Sequence, residues 1–180
     1  MTSYDVRVAE PDDFSEVWRL FLLAYEENAI LPLCQRKAEW YIRRAIEPHK
    51  IHPLDTGPRG VIGVIGPKGD LQGAVFLIIS SFWYTEQMHI EELSLLVDPK
   101  YRKTDHAKTL INWMKDQSSQ TGLPLVTGVI SNHRTEAKVR LYGRLLPQSG
   151  AFFVLKPEDV TMRPTLVVSS SLEQIVNRRH

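Results

Sequence analysis

From Phe14 onward, the apolar positions Val17, Leu20, Phe21 and Ala24 recur at intervals of three and four residues, which is the spacing of one helix face. Glu10-Pro11-Asp12-Asp13 precedes them and supplies a turn and helix-capping side chains. Before that, Tyr4–Ala9 alternates and reads as a first strand. A second helix is expected from about Gln35 to Ile46, with Ala38, Ile42, Ala45 and Ile46 on one face and Pro48 as its stop. Pro48–Gly60 holds three prolines and two glycines and reads as a loop. The pattern then changes to β-rich runs at Gly60–Ile65, Leu71–Ile79 and Met88–Val97. Lys68-Gly69-Asp70 is a hairpin turn between the first two, Phe82-Trp83-Tyr84 lies near the next turn, and Asp98-Pro99 ends the third run. Helical spacing returns at Ala107, Leu110, Ile111 and Met114, so a helix is expected from about Thr104 to Ser119, closed by Gly122 and Pro124. Leu125–Ile130 follows as a strand. Thr135–Leu146 follows as a helix with Leu141, Tyr142 and Leu145 on one face, ended by Pro147 and Gly150. Ala151–Leu155 and Thr161–Ser169 read as final strands. The order β-α-α-β-β-β-α-β-α-β-β describes an α/β chain with hairpins in its middle and crossover helices in its second half.

Composition narrows the class. A chain of 180 residues with 43% hydrophobic and 24% charged residues suits one globular domain, residues 1–180, with a full core. A net charge of +1 gives no global field toward nucleic acid or a membrane surface. The longest apolar runs, such as Ala74–Ile79, are far too short to span a bilayer, and Met1–Glu10 lacks a secretory apolar run. Cys34 is the single cysteine, which forbids a disulfide within the chain and fits a reducing compartment. The expectation is a soluble, cytoplasmic protein with no membrane partner.

The chemistry concentrates in Leu95-Leu96-Val97-Asp98-Pro99-Lys100-Tyr101-Arg102-Lys103-Thr104-Asp105-His106-Ala107. Here a strand ends at a proline, a basic turn follows, and a helix begins with small residues. A helix N-terminus presents unpaired N–H groups and a positive dipole end, which suit a diphosphate. Arg102, Lys103 and Lys108 add charge, and Ala107 permits close approach to the backbone.

Val97-Asp98-Pro99-x-x-Arg102-x-x-x-x-Ala107 is similar to the cofactor motif of GNAT-type N-acetyltransferases. Two further stretches resemble that family in the same order. Val6-Arg7-Val8-Ala9-x-Pro11-x-Asp13 looks like its first strand and turn. Asn132, Ala137, Leu141-Tyr142-Gly143-Arg144 and Gly150-Ala151-Phe152 look like its later pattern. The Lys103-Thr104-Asp105-His106-Ala107 version resembles acetyltransferase-like proteins encoded by tailed phages. The resemblance implies a GNAT-like mixed, mostly antiparallel central sheet of about seven strands flanked by about four helices. It implies acetyl-CoA as co-substrate and no metal. The main chain of Leu95, Leu96 and Val97 would pair with the pantetheine amides, Arg102, Lys103, Thr104, Asp105, His106 and Ala107 would hold the diphosphate, and Asn132 would contact the cofactor. There are two departures. Asp105 stands where the family has a glycine, and its carboxylate opposes a diphosphate unless it points outward with Thr104 supplying a hydroxyl. The interval from Asn132 to Tyr142 is about three residues longer than usual.

The resemblance gives Tyr142 the role of protonating the departing thiolate. Glu91 and Glu92 lie in the strand before the cofactor turn, and either could take the proton of an attacking amine. Adjacent strand residues face opposite sides, so only one of the two is expected in the cleft. His89 shares the parity of Glu91 and is a weaker candidate. His49, His52, His106 and His133 make no metal-ligand spacing with Cys34. Cys34 reads as a buried or idle thiol, and Trp40, Tyr41, Trp83 and Tyr84 as packing residues or, failing that, the lining of an acceptor pocket. The resemblance places the acceptor site at Ala29–Cys34, Pro48–Gly60 and Ile79–Met88 and leaves the amine acceptor, small molecule or protein, unidentified. Homodimers are common in that family. The alternative reading is a catalytically weak or inactive domain of the same type that binds a partner protein, which Asp105 favours. The near-neutral charge argues against a nucleic-acid module.

Overall fold

A computed structural model describes residues 5–50, 52 and 55–153. Its sheet is built on β3, Gly73–Ser81, whose first six residues are all buried. That is the signature of a strand covered on both faces. β2 (Arg59–Ile65) and β4 (Met88–Val97) flank it antiparallel; β1 (Arg7–Val8) pairs antiparallel with β2, and β5 (Leu125–Val126) pairs parallel with β4. The order is β1-β2-β3-β4-β5. Four α-helices cover it among the described residues: α1 (Phe14–Asn28), α2 (Gln35–Ile46), α3 (His106–Thr121) and α4 (Thr135–Gly143).

Alternation along β3 divides the core. Ala74, Phe76 and Ile78 pack with Val17 and Leu20 of α1 and Ile42 and Ile46 of α2. Val75 and Leu77 face the other way, toward Leu110, Ile111 and Met114 of α3, with Leu141 and Tyr142 of α4 against the same cluster. The close approach of α3 requires Gly63 in β2, where an added Cβ would stand 2.7 Å from the Trp113 ring.

The strand count differs from about seven: five form among the described residues. Ala151–Phe153 is described and is not a strand, whereas Val154, Leu155, Thr161–Ser169 and Tyr4 lie outside the described residues. The strand expected over Leu125–Ile130 keeps its regular pairing only at Leu125 and Val126. The cause lies in β4. Phe76 pairs with Ser94 and Leu77 with Glu92, so Leu93 is an extra residue, a bulge that bends its strand. β5 follows β4 at Ile90 and Glu91 and then leaves it. The last helix also ends earlier than Leu146, at Gly143, where the chain tightens into a final turn with the Leu145 N–H on the Tyr142 carbonyl.

Polar contacts fix the elements around this parting. Asp13, 1% exposed, accepts two hydrogen bonds from the Arg7 guanidinium at 2.6 and 2.7 Å and ties β1 to the start of α1. Arg19 of α1 donates to Asp98 at 2.7 Å and to the Leu71 carbonyl at 2.8 Å. It thereby holds the turn that follows β4 against α1. Among the described residues, no helix is long and apolar enough to cross a membrane. Cys34 precedes α2 and is exposed rather than buried.

Candidate active site

Where β4 and β5 part, a cavity of about 600 Å³ opens through the sheet. Phe21, Tyr25 and Asn28 of α1 line it from one face, and Leu141 and Tyr142 of α4 from the other. Leu95, Leu96 and Val97 form one wall, and the irregular stretch Thr127–Ser131 forms the opposite one. On the β5 side, Leu93–Val97 has no strand partner among the described residues.

Tyr142 and Glu92 meet in this cavity. The phenol lies 2.9 Å from Glu92 Oε1 and 2.8 Å from Oε2, and donates its proton to that carboxylate. The Thr127 hydroxyl also donates to Glu92 Oε2. Burial pushes the Glu92 carboxyl above its ordinary range, and the two donors only partly offset that. Burial likewise raises the Tyr142 phenol, and the Glu92 charge raises it further. The two shifts are coupled. An ionised Glu92 holds the Tyr142 proton, and a protonated Glu92 frees it.

Glu91 lines the same cavity. The expectation that only one of the two glutamates faces the cleft is therefore corrected. Strand parity does send them to opposite faces, but the cavity begins at the last β4–β5 pair, Glu91–Val126, and is lined from both faces of the sheet. His89 lies outside the lining; its ring is buried and stacks on Phe82 at 4.5 Å between centroids.

The cofactor candidates divide. Leu95, Leu96, Val97, Arg102 and Ala107 line the cavity, while Lys103, Thr104, Asp105, His106 and Asn132 do not. The Thr104 hydroxyl is committed to its own turn, donating to the Tyr101 carbonyl at 2.6 Å and accepting from the His106 N–H at 3.3 Å. Asp105 is exposed and caps no N–H with its side chain. The His106 ring is 1% exposed, with Nε2 2.8 Å from Gln72 Oε1, so it serves the core. Asn132 Nδ2 donates to the Ala29 carbonyl at 2.5 Å and joins the loop before α4 to the end of α1. Trp40, Tyr41, Trp83 and Tyr84 lie outside the cavity, and of the three expected acceptor segments only Ala29 lines it.

Thr127, Glu27 and Lys138 are among the lining residues that went unnoticed in sequence. Thr127 carries no local signal. Glu27 sits at the polar end of α1. Lys138 could have been found, since it precedes Tyr142 by four residues and so shares its helix face.

No family model matches the chain, and no curated protein matches it in sequence. Solved structures do match. A ribosomal-protein-alanine N-acetyltransferase from Brucella melitensis biovar Abortus is 15% identical, over 86% of this chain and 99% of that one, at a TM-score of 0.59. A GCN5-related N-acetyltransferase from Ralstonia eutropha is 18% identical, over 86% and 98%, at 0.63. AAC(6')-Iy, in complex with the bisubstrate analogue CoA-S-monomethyl-acetylneamine, is 11% identical, over 86% and 98%, at 0.61.

Proposed function

Given that this chain has the GNAT acetyltransferase fold, we propose that it is an N-acetyltransferase that moves the acetyl group of acetyl-CoA onto a primary amine by direct attack in a ternary complex. The observation that carries this reading is the Glu92–Tyr142 pair inside the cavity where β4 and β5 part. In the proposed reaction the neutral amine attacks the thioester carbonyl, a C–N bond forms and the C–S bond breaks. Glu92 takes the proton that the amine must lose, and its burial raises its affinity for that proton. Once Glu92 is protonated, the charge that held the Tyr142 proton is gone; the phenol delivers its proton to the departing thiolate, and the Glu92 proton passes to the phenolate oxygen across their hydrogen bond, which restores both groups. The acid and the base thus act as one unit through a direct hydrogen bond.

Acetyl-CoA would lie along Leu95–Val97, its amides pairing with main-chain groups that β5 leaves unmatched, and Arg102 and Ala107 would meet its diphosphate end. Lys103 and the exposed Asp105 would stay outside that contact. The single, unpaired Cys34 fits a place in the cytoplasm, where acetyl-CoA is at hand. The test is a screen of amines that reads free CoA, preceded by calorimetry with acetyl-CoA. Absence of acetyl-CoA binding defeats the proposal.

A second reading is a module of the same fold that binds a partner protein without catalysis. It draws on the turn between β3 and β4, where Trp83 is 95% exposed beside Tyr84 at 68%. Turnover of any amine that Tyr142→Phe suppresses decides for the enzyme.

A further inference from the structure

α1 ends in the cavity with Glu27 and Asn28, facing basic side chains from three other segments. Arg102 Nη2 donates to Glu27 Oε2 at 2.5 Å, and the two side chains are only 28% and 30% exposed. From α4, Lys138 Nζ donates to Asn28 Oδ1 at 2.6 Å and to Ser131 Oγ at 2.7 Å. His133 and Arg134, in the loop that enters α4, line the same cavity. Arg134 adopts φ 53°, a left-handed conformation that is uncommon for arginine, directly before the first turn of α4. The positive end of that helix lies at the same place.

The charges are unbalanced. Arg102, Lys138 and His133 act on the Glu27 carboxylate, and Arg134 stands close enough to Lys138 to repel it. Arg102, and then His133 and Lys138, hold Glu27 below the usual carboxylate range. Burial, and then the repulsion of Arg102 and Arg134, push the Lys138 ammonium down despite Glu27. One carboxylate therefore does not neutralise the cluster. Glu91 and Glu92 line the cavity where β4 pairs with β5 and where Tyr142 stands, so the positive surplus is local to the Arg102 end. A half-buried pocket of that kind with a planar guanidinium favours an anion that carries several charges and can accept two parallel hydrogen bonds.

We propose that Glu27 is a built-in competitor for the phosphate subsite formed by Arg102, His133, Arg134 and Lys138, so that a ligand binds there by taking Arg102 away from Glu27. The nature of that ligand, the diphosphate of acetyl-CoA, rests on the reading above; the anion subsite does not. The arrangement sets specificity. An acyl thioester without a diphosphate gains nothing at this cluster and leaves the Glu27–Arg102 pair closed. A diphosphate exchanges one carboxylate for a stronger acceptor and brings Lys138 and Arg134 into the contact.

Titration calorimetry with three probes tests this: sodium pyrophosphate, acetyl-CoA and S-acetylpantetheine, on the parent, Glu27→Gln and Lys138→Met. Glu27→Gln keeps the shape of the side chain and removes the competing charge. It should tighten pyrophosphate and acetyl-CoA about threefold to tenfold, the range of one half-buried ion pair, and leave S-acetylpantetheine unchanged. Lys138→Met should weaken pyrophosphate by about as much. Unchanged or weaker pyrophosphate binding to a Glu27→Gln protein that melts like the parent overturns the proposal, as does pyrophosphate that binds neither protein. If Glu27→Gln tightens pyrophosphate while acetyl-CoA binds no variant, the subsite stands and the acetyltransferase reading falls. If acetyl-CoA binds the parent and Glu27→Gln equally, the competitor role falls and the acetyltransferase reading stands. Should Glu27→Gln fail to fold, Lys138→Met decides, because pyrophosphate binding unaffected by it removes the subsite.

Discussion

Tyr142 donates to a carboxylate that burial already disfavours, so its hydroxyl serves the fold and, in the proposed reaction, would serve the chemistry as well. Tyr142→Phe should lower kcat by roughly 10²–10⁴, the usual worth of a positioned proton donor, with acetyl-CoA affinity retained. It should also lower stability by about 1–3 kcal/mol in a denaturant melt, since Glu92 loses a donor. A melt without that drop would mean the phenol and carboxylate are not bonded in solution. For Glu92 the sign is the reverse of an ordinary ion-paired acid. Its carboxyl is raised in the fold, so ionising it costs stability, and that cost grows as pH rises above 4.5, its ordinary value. Relative to Glu92→Gln, the parent should therefore become progressively less stable from pH 4.5 upward. In the parent, kcat/KM should rise with pH along a limb displaced above the ordinary carboxylate range, and Glu92→Gln should lack that limb. Tyr142 was legible in the sequence through its motif, but Glu92 only as one of two neighbours. Its partner lies fifty residues away in sequence, and nothing local encodes that distance. Thr127 was invisible for the same reason, with its hydroxyl finding Glu92 across the parting strands.

Elements followed the hydrophobic pattern most closely at α2 and β4, where a proline stands at the end. α2 matches its expected span because Ala38, Ile42, Ala45 and Ile46 make one stripe and Pro48 stops it. β4 matches its expected span because Pro99 closes it. β5 does not, since its length depends on the bulge at Leu93 in another strand, which no period in Leu125–Ile130 records. The pattern Val6-Arg7-Val8-Ala9-x-Pro11-x-Asp13 proves to be a mechanical joint between β1 and α1. Arg7 holds Asp13 below its ordinary value, helped by the Glu10 N–H and more weakly by Lys68. Its contribution is present above pH 3.8 and is lost as pH falls through the depressed value. Asp13→Asn should thus be less stable than the parent at pH 7 by about 1–3 kcal/mol, with the gap closing in acid. Urea melts at both pH values measure it, and an equal gap in acid would put the effect elsewhere. Across the sheet, Gly63→Ala must move the Trp113 ring, and should cost about 1–3 kcal/mol in the same assay.

For the molecule as a whole, the cavity is the place where folding stability and ligand affinity meet. A ligand that enters the gap between β4 and β5 and binds the folded state alone should stabilise it by about 2.7 kcal/mol at one hundred times its dissociation constant. A thermal melt with acetyl-CoA reads this directly, and an unchanged midpoint at millimolar acetyl-CoA would count against occupancy of the gap. The parting of the strands has a further consequence for descent. From Leu93 to Val97, β4 offers its free edge as a row of main-chain donors and acceptors, groups that every residue except proline carries in full. An edge of this kind recognises by spacing and direction, and the side chains along it are left to answer only to the packing around them. Substitutions can therefore accumulate there over long times without touching what the edge offers, and a lineage can keep the gap while its spelling drifts beyond recognition. A proline introduced at Leu95 would be the exception, because it removes a letter that the rest of the alphabet shares.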